Sequence, residues 1–356
     1  MESLSTGDPQ VKPLAQRLYG AALGAIMKHL SDHGSGTISE LAEISGVSRP
    51  TAQRALAELA QLGLVEESAQ RPATSGRPAR AWAPVVGTRT VLVADIQPAR
   101  TRVQLSCLTG RVVAEHTIDH AALRADPTAA DLPRRILEQV QALRAGSELA
   151  TGSLVEAVIG VSGVVSSDGA VLLSSRVPEL TGIPLAALAR EVLGLEAVLV
   201  ENDMNLRAVG ELHSGVGQGA SSFIYLTNHE FHRPAMVLDG ALWHGAHRAA
   251  GERDILARTG LISLSLTHDG REVPYFAAAG LIESGQLGPE WIDVLNAQLA
   301  AVIAVLCYPL DPELVIVDGG PRTTGAEAIT DLQSRLRALT PGLGSPAWSP
   351  GVTRRT

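Results

Sequence analysis

Residues 37–66 read TISELAEISGVSRPTAQRALAELAQLGLVE, and their spacing predicts helix, tight turn, helix. Ile38, Leu41, Ala42 and Ile44 place apolar groups on one face of a short first helix. Gly46-Val47 makes the turn, Ser48 suits the N-cap of a second helix, and Pro50 is tolerated in its first turn. Ala52, Ala55, Leu56, Leu59 and Leu62 recur at helical spacing, and Gly63 ends the helix. Arg49, Thr51, Gln53 and Arg54 are left near the N-terminal end, largely off the apolar face. In a helix-turn-helix this end of the second helix meets base edges in the major groove, and Ser48, Arg49, Thr51, Gln53 and Arg54 are of types that read them. An ordinary helical hairpin with a solvated polar face would show the same periodicity.

Outward from this stretch, Leu14, Leu18, Leu23, Ile26, Met27 and Leu30 mark an amphipathic helix from Val11 to Leu30 that completes a three-helix core. After Leu64-Val65-Glu66 comes SAQRPATSGRPAR at 68–80, then Trp82. Two short strands around this basic loop make a β-wing, with Arg71, Thr74, Gly76 and Arg77 at its tip and Arg80 at its base. A flexible basic linker is the alternative reading. Gly-Arg-Pro is slim and extended, and an inserted Arg is favoured by the negative potential of a minor groove.

The chain has 356 residues, 45% of them hydrophobic, and a net charge of −8. That supports a sizeable core and two or three domains and argues against a general polyanion binder, while leaving room for a small basic face. No apolar run has the length of a membrane span and the N-terminus does not resemble a signal peptide, so a cytoplasmic protein is expected. Cys107 and Cys307 stand apart among apolar neighbours, which predicts packed thiols and no disulfide framework.

After Pro84 strands alternate with helices, predicting an α/β body. Strands are expected at 90–95, 101–108, 111–116, 156–161, 197–200, 222–226, 235–238, 241–243 and 314–317, with Thr109-Gly110 and Asp239-Gly240 as hairpin turns. Helices are expected at 131–144, 185–193, through His213, over the low-charge stretch Trp291–Tyr308, and at 326–339. The Pro/Gly/Ser-rich tail, 341–356, predicts no ordered structure.

Several motifs resemble the ROK family, which groups sugar-responsive repressors with sugar kinases. They are the helix-turn-helix followed by Gly76-Arg77-Pro78-Ala79, a DxGGT-like start at Asp95, GVSG at 160–163, GIPLAALAREVLGL at 182–195, ENDMN at 201–205 and VLDGALWHGAHRAAGE at 237–252. The resemblance implies a winged helix-turn-helix domain at 1–86 and a two-lobed, actin-like, sugar-kinase-like body. Its first lobe would be 87–205 and its second 206–340, with the last helix packing back on the first lobe.

The departures bear on function. In the kinases the DxGGT loop offers backbone N–H groups to nucleotide phosphate. Here it reads Asp95-Ile96-Gln97-Pro98-Ala99, so Gln97 adds a Cβ and Pro98 has no N–H to donate. The second phosphate loop has become Asn228-His229-Glu230-Phe231-His232-Arg233-Pro234, without glycine and with a repelling Glu230; only Gly319-Gly320 of a third glycine-rich contact survives. The family's structural zinc requires a His after Gly251-Glu252 and a cysteine cluster, but Ile255 holds the His position and the cluster is missing. No zinc is expected, although His229, His232, His244 and His247 lie close in sequence. No cofactor is expected, and no kinase activity.

The resemblance places Asn202, Asp203 and Glu252 in a sugar pocket, with Asp203 at the position of the kinases' general base. A carboxylate beside a hydroxyl can also simply accept hydrogen bonds, and Asn202 and Asp203 could do no more than cap the helix they open. Arg176 replaces a family Asn; it could pair with Glu252 or Asp203 or favour an anionic ligand. The leading expectation is a DNA-binding transcription regulator, a repressor acting as a homodimer or dimer of dimers on a double-stranded operator, with a sugar or other small-molecule effector. A ROK sugar kinase is the alternative, and a regulator with a ligand-blind body is the third.

Overall fold

The structure is a computed structural model, and it describes residues 14–61, 63–68, 80–85, 89–107, 112–125, 131–146, 153–228, 234–251 and 265–339. The chain opens with α1 (Leu14–His33), β1 (Gly36–Thr37), α2 (Ile38–Ser45), α3 (Arg49–Gln61), β2 (Val65–Ser68) and β3 (Ala81–Pro84). The three helices close on Ile26, Leu30, Leu41, Ala52, Ala55, Leu56 and Leu59, all buried. Thr37 starts α2 with a capping box: its hydroxyl accepts from the Glu40 amide and Glu40 Oε2 accepts from the Thr37 amide at 2.8 Å. Gly46 ends α2 at φ 67, a left-handed conformation that glycine adopts without steric cost, and its N–H reaches back to the carbonyls of Ala42 and Glu43. Ile44, placed on the apolar face by its spacing, is 48% exposed instead; it falls on the last turn of α2.

β2 and β3 pair antiparallel in register from Val65↔Pro84 to Ser68↔Ala81, giving the two strands of the wing. The short β1 pairs with the other edge of β3, which ties the wing strands to the start of α2. Sequence pattern missed β1 because two residues carry no periodicity. Arg80, counted with the basic loop, bridges to Glu67 on the opposite strand at 3.3 Å. The wing tip with Arg71, Thr74, Gly76 and Arg77 lies outside the described residues.

The first body sheet combines an antiparallel meander, β4 (Arg89–Ile96), β5 (Arg100–Cys107) and β6 (Val112–Asp119), with β7 (Ser153–Val161) and β10 (Val198–Asn202), in the order β10-β7-β4-β5-β6. Here α4 (His120–Arg124) and α5 (Leu132–Gly146) separate β6 from β7, and the hairpin β8 (Val164–Val165) and β9 (Val171–Leu173), a 3-10 turn at Pro178–Leu180 and α6 (Leu185–Leu193) separate β7 from β10. Leu92, Ala94, Ile159, Val161 and Val200 from the sheet pack with Ile136, Val140, Leu185 and Ala189 from the helices. Because β4, β7 and β10 are parallel, Asp95↔Gly160 and Gly160↔Glu201 are register partners. The carboxyl ends of three strands, the usual ligand edge of an α/β sheet, therefore bring Asp95, Gly160 and Glu201 side by side.

From β10 the chain turns into α7 (Asp203–Ser214). A second sheet follows from β11 (Phe223–Thr227), β12 (Ala235–Leu238), β13 (Ala241–Leu242) and β16 (Leu314–Asp318), in the order β13-β12-β11-β16. Asp239 and Gly240 turn the β12–β13 hairpin at φ 51 and 69, as the Asp-Gly pair predicted. Before β16 lie the hairpin β14 (Ser265–His268) and β15 (Arg271–Pro274), then α8 (Tyr275–Glu283) and α9 (Glu290–Leu310); α10 (Ala326–Leu339) comes after it. By length and composition α9 is apolar enough to cross a membrane, contrary to the reading of the bare sequence. In the fold Trp291, Leu295, Leu299, Ile303 and Cys307 are buried, and Leu299 and Ile303 meet Ile224, Val315, Leu332 and Leu336. One face of the helix thus serves the core, while Val305 and Tyr308 stand exposed. Cys107 and Cys307 are both buried, and desolvation pushes the Cys307 thiol up to about 12.

Removing the Thr37 hydroxyl breaks the capping box without touching the core. Thr37→Ala is expected to weaken α2 by ~1 kcal/mol, seen as roughly fivefold faster hydrogen exchange at its amides. Unchanged exchange would show that packing alone sets the helix start.

Candidate functional site

Two regions gather polar side chains. The first is the start of α3. Ser48, Arg49, Gln53 and Arg54 are exposed and Thr51 is half-buried, while Ala52, Ala55 and Leu56 face the core. The Ser48 and Thr51 hydroxyls lie 2.9 Å apart, and Ser48 Oγ accepts from the Thr51 amide, so both residues help to cap α3. Arg49, Gln53 and Arg54 project from one solvent face of a helix whose opposite face is fixed by packing.

The second region is the carboxyl edge of the first body sheet, where α7 begins. Asn202 is the N-cap of α7: its Oδ1 accepts from the amides of Met204 at 2.9 Å and Asn205 at 3.3 Å, and its Nδ2 donates to the Gly163 carbonyl at 3.0 Å. Capping and fastening the 161–163 turn occupy both ends of this amide. Asp203, 4% exposed, accepts from the Met204 amide and from Gln97 Nε2 at 3.1 Å. The same Gln97 nitrogen donates to Asp95 Oδ1 at 2.7 Å. Gln97 is therefore a bridge: its amide nitrogen donates to both carboxylates, one from β4 and one from α7. Sequence reasoning recognised the obstruction at position 97 and missed the bridge, because the bridge depends on a partner 106 residues away.

The loop around Gln97 is fastened from behind. The Gln97 amide closes a turn onto the Arg100 carbonyl, and the Pro98 carbonyl accepts from Arg124 Nη1 at 2.7 Å and His120 Nδ1 at 3.3 Å. His120 is fully buried, and its Nε2 lies 2.8 Å from Thr101 Oγ1. A carbonyl can only accept, so Nδ1 carries the proton and the neutral Nε2 accepts from the threonine hydroxyl. Arg124 continues to Glu179 at 2.9 Å, beside Val177-Pro178. Arg176 is half-buried on the same loop. Its suggested pairing with Asp203 is not what engages that carboxylate, which bonds Gln97 and Met204. Glu252, the other suggested partner, lies outside the described residues, as do His229 and His232.

Glu201, 7% exposed, is a residue whose part in the site the sequence did not disclose. Its Oε1 accepts from the Asn202 amide at 2.8 Å and Asn205 Nδ2 at 2.9 Å; its Oε2 accepts from His244 Nε2 and Arg248 Nη2, both at 2.8 Å. Burial alone would raise its pKa, but the bonds from Asn205, the Asn202 amide and His244 outweigh burial and hold the carboxyl below its ordinary value. His244 is thus a carboxylate partner, and among the described residues no cluster of His, Cys, Asp and Glu is arranged to hold a metal.

Arg207, one turn into α7, faces the second sheet. Its Nη1 lies 3.5 Å from Asp318 Oδ2, and the Tyr225 hydroxyl donates to that same oxygen at 2.7 Å. Burial would lower the Arg207 pKa, but Tyr225, Asp203 and Asp95 more than offset it. Tyr225 is pushed well above its ordinary range, first by desolvation and then by Asp318. One guanidinium thus serves three carboxylates, Asp95, Asp203 and Asp318, that meet where the two sheets' carboxyl ends approach.

His120 provides a pH test of this packing. Burial is the largest influence and lowers its pKa, against the raising effect of the Pro98 carbonyl. The unfolded chain then binds the proton more readily, so the contribution of His120 is intact above the unfolded value of about 6.5. It is lost as pH falls from there through the depressed folded value. Wild type is expected to lose stability against His120→Gln across that interval in urea titrations; parallel pH profiles for the two proteins would count against a neutral, buried His120.

The comparisons with known proteins bear on the domains and the fold. The model of the IclR helix-turn-helix domain matches residues 23–69, and the ROK family model matches residues 101–253. An uncharacterized protein of Clostridium perfringens is 28% identical over 159 residues, which is 40% of this chain. The chain spans about half, 54%, of that relative's length. Among solved structures, a ROK family transcriptional regulator described as a homolog of the E. coli MLC protein superposes with a TM-score of 0.62 at 19% identity, covering 90% of this chain and 88% of that one. A ROK family glucokinase from Streptomyces griseus, in complex with glucose and AMPPNP, gives a TM-score of 0.52 at 20% identity over 74% of this chain and 92% of that one. At these identities the structural likeness speaks to the fold alone, a sugar-kinase-like body. Residues 23–69 thus match a helix-turn-helix domain, and it precedes a sugar-kinase-like body whose residues 101–253 are similar to the ROK family.

Proposed function

We propose that this chain is a DNA-binding transcription regulator, a repressor that binds a two-fold operator as a homodimer. The observation that carries the reading is α3: Arg49, Gln53 and Arg54 stand exposed on the N-terminal part of a helix whose other face is locked by Ala52, Ala55 and Leu56. In a helix-turn-helix that part enters the major groove, where Arg reads guanine and Gln reads adenine. Ser48 and Thr51, bound to each other at the cap, suit phosphate or single base-edge contacts. Arg71, Thr74, Gly76 and Arg77 of the wing are assigned to backbone or minor-groove contacts.

Footprinting and titration on an operator fragment test this. Arg49→Ala or Arg54→Ala should each cost about 1–3 kcal/mol on specific DNA when the side chain meets a guanine, with little change on random sequence. Arg71→Ala or Arg77→Ala should weaken both and reduce the salt slope by about one. Equal losses on specific and random DNA for all four variants would refute this division of labour. Protection is expected at two half-sites one helical turn or a multiple apart.

The body is read as the part that dimerises and answers a sugar or another small metabolite at the edge bearing Asn202, Asp203, Arg176 and Glu252. The kinase alternative needs Asp203 as a base for a sugar hydroxyl, but that carboxylate accepts from Gln97, and Asn202 is taken up as a helix cap. Calorimetric titration with magnesium and ATP should give no saturable heat, and glucose with ATP should yield no phosphorylated sugar. Tight, magnesium-dependent ATP binding would overturn the non-enzymatic reading.

A further inference from the structure

β16 ends at Asp318 and runs into Gly319-Gly320-Pro321-Arg322-Thr323-Thr324 before α10. The consecutive amides of Arg322 and Thr323 point to one spot, and the side chain of Glu283, last residue of α8, fills it. Glu283 Oε1 accepts from the Thr323 amide at 2.8 Å, the Thr323 hydroxyl at 2.7 Å and the Arg322 amide at 3.1 Å, and Oε2 lies 3.2 Å from the Arg322 amide. Gly320 makes the room: a Cβ there would stand 2.2–2.6 Å from the Glu283 carboxyl group. Arg322 in turn donates to the Ile282 carbonyl at 3.2 Å, so the loop and the end of α8 hold each other. Thr323 and Thr324 are buried, and Thr324 Oγ1 donates to the Gly320 carbonyl at 2.8 Å, which fixes the loop whether or not an acceptor is present.

Successive backbone N–H groups aimed at one point, with a hydroxyl beside them and a glycine for clearance, form a seat for an oxyanion. A carboxylate and a phosphate present such a seat with the same kind of acceptor oxygens. We propose that the Gly320–Thr323 loop is a phosphate-type oxyanion seat that this chain fills with its own carboxylate, Glu283, which excludes inorganic phosphate and phosphorylated ligands from it. Exclusion follows from space and from charge, since a second anion would lie against the first. A cavity of about 620 Å³ adjoins the loop at Pro321 and Arg322; Asp293, Glu327 and Asp331 also line it.

The full chain, titrated with inorganic phosphate at constant ionic strength, decides it. Wild type should show no saturable heat and no phosphate-dependent rise in Tm. Glu283→Ala should show both, and Gly320→Ala added to Glu283→Ala should abolish them, because its Cβ lies where the carboxylate stood. Folded Glu283→Ala that ignores phosphate, or wild type that binds phosphate as well as Glu283→Ala does, overturns the proposal. Glu283→Gln gives a second readout that does not require the cavity variant to fold. It keeps the shape but offers a weaker acceptor, so the Arg322 and Thr323 amides should exchange hydrogen several-fold faster than in wild type. Unchanged exchange there likewise overturns it.

Discussion

The body depends on one buried charge. Glu201 sits at the end of β10, 7% exposed, and a lone carboxylate in that position would be strongly penalised for lost hydration. The chain meets that requirement with donors from two places: the start of α7, through the Asn202 amide and Asn205, and the segment after β13, through His244 and Arg248. Arg248 is itself held in a left-handed conformation, φ 55, and spends its Nε on the Val165 carbonyl of the β8 hairpin at 2.7 Å. Satisfying Glu201 therefore fixes where β10 ends, how α7 leaves it, and where the 244–248 turn lies against the first sheet. Because the donors come from two separate segments, moving either one away strips the charge of part of its compensation.

The same logic runs through the neighbouring carboxylates. Asp95 and Asp203 share the Gln97 amide, and Asp318 shares Arg207 and the Tyr225 hydroxyl. In a phosphoryl-transfer site, carboxylates of this kind must remain available to a hydroxyl or a metal ion. Here their acceptor capacity is turned inward. Gln97 is neutral, so it does not cancel charge; Arg207 supplies the countercharge from the next turn of α7. A site of this kind can keep its acidic residues for folding alone, since deleting Asp95 or Asp203 would remove one of the two acceptors that the Gln97 amide bridges.

Local signals were readable where one residue type or one period carries the physics. The apolar faces of α3 and α6, the Asp239-Gly240 turn and the apolar run of β11 each follow from steric or hydrophobic rules that act over a few residues. Asp269-Gly270, at φ 46 and 77, turns the β14–β15 hairpin by the same rule as Asp239-Gly240, but its flanking residues lack the apolar alternation that would have drawn attention to it. Ile44 was misplaced because the period continues past the point where a helix stops packing. The roles of Gln97, Glu201, Arg207 and Glu283 were illegible for a different reason. Each has partners 39 to 111 residues distant, such as Glu201 with His244 or Glu283 with Arg322 and Thr323, and no spacing rule spans such intervals. The ENDMN motif located Glu201 but could not say that it is the acceptor on which the site is built.

Retention of a family's acidic residues therefore says little about chemistry until their donors are known, and the donors also show where an outside partner can act. At the carboxyl edge of the first sheet, Asn202, Asp203, Glu201 and Gln97 are largely committed to one another. An incoming polar ligand there must displace internal hydrogen bonds of comparable strength, so its net gain is small unless it supplies more contacts than it breaks. The start of α3 is the opposite case. Arg49 and Gln53 face water on a rigid helix, and a nucleic-acid contact replaces only hydration and released counterions, which favour association at moderate salt. The difference in prior commitment, rather than the residue types themselves, supports the proposal that DNA recognition lies at the helix, whereas an effector of the kinase-like body would have to bring more contacts than it breaks.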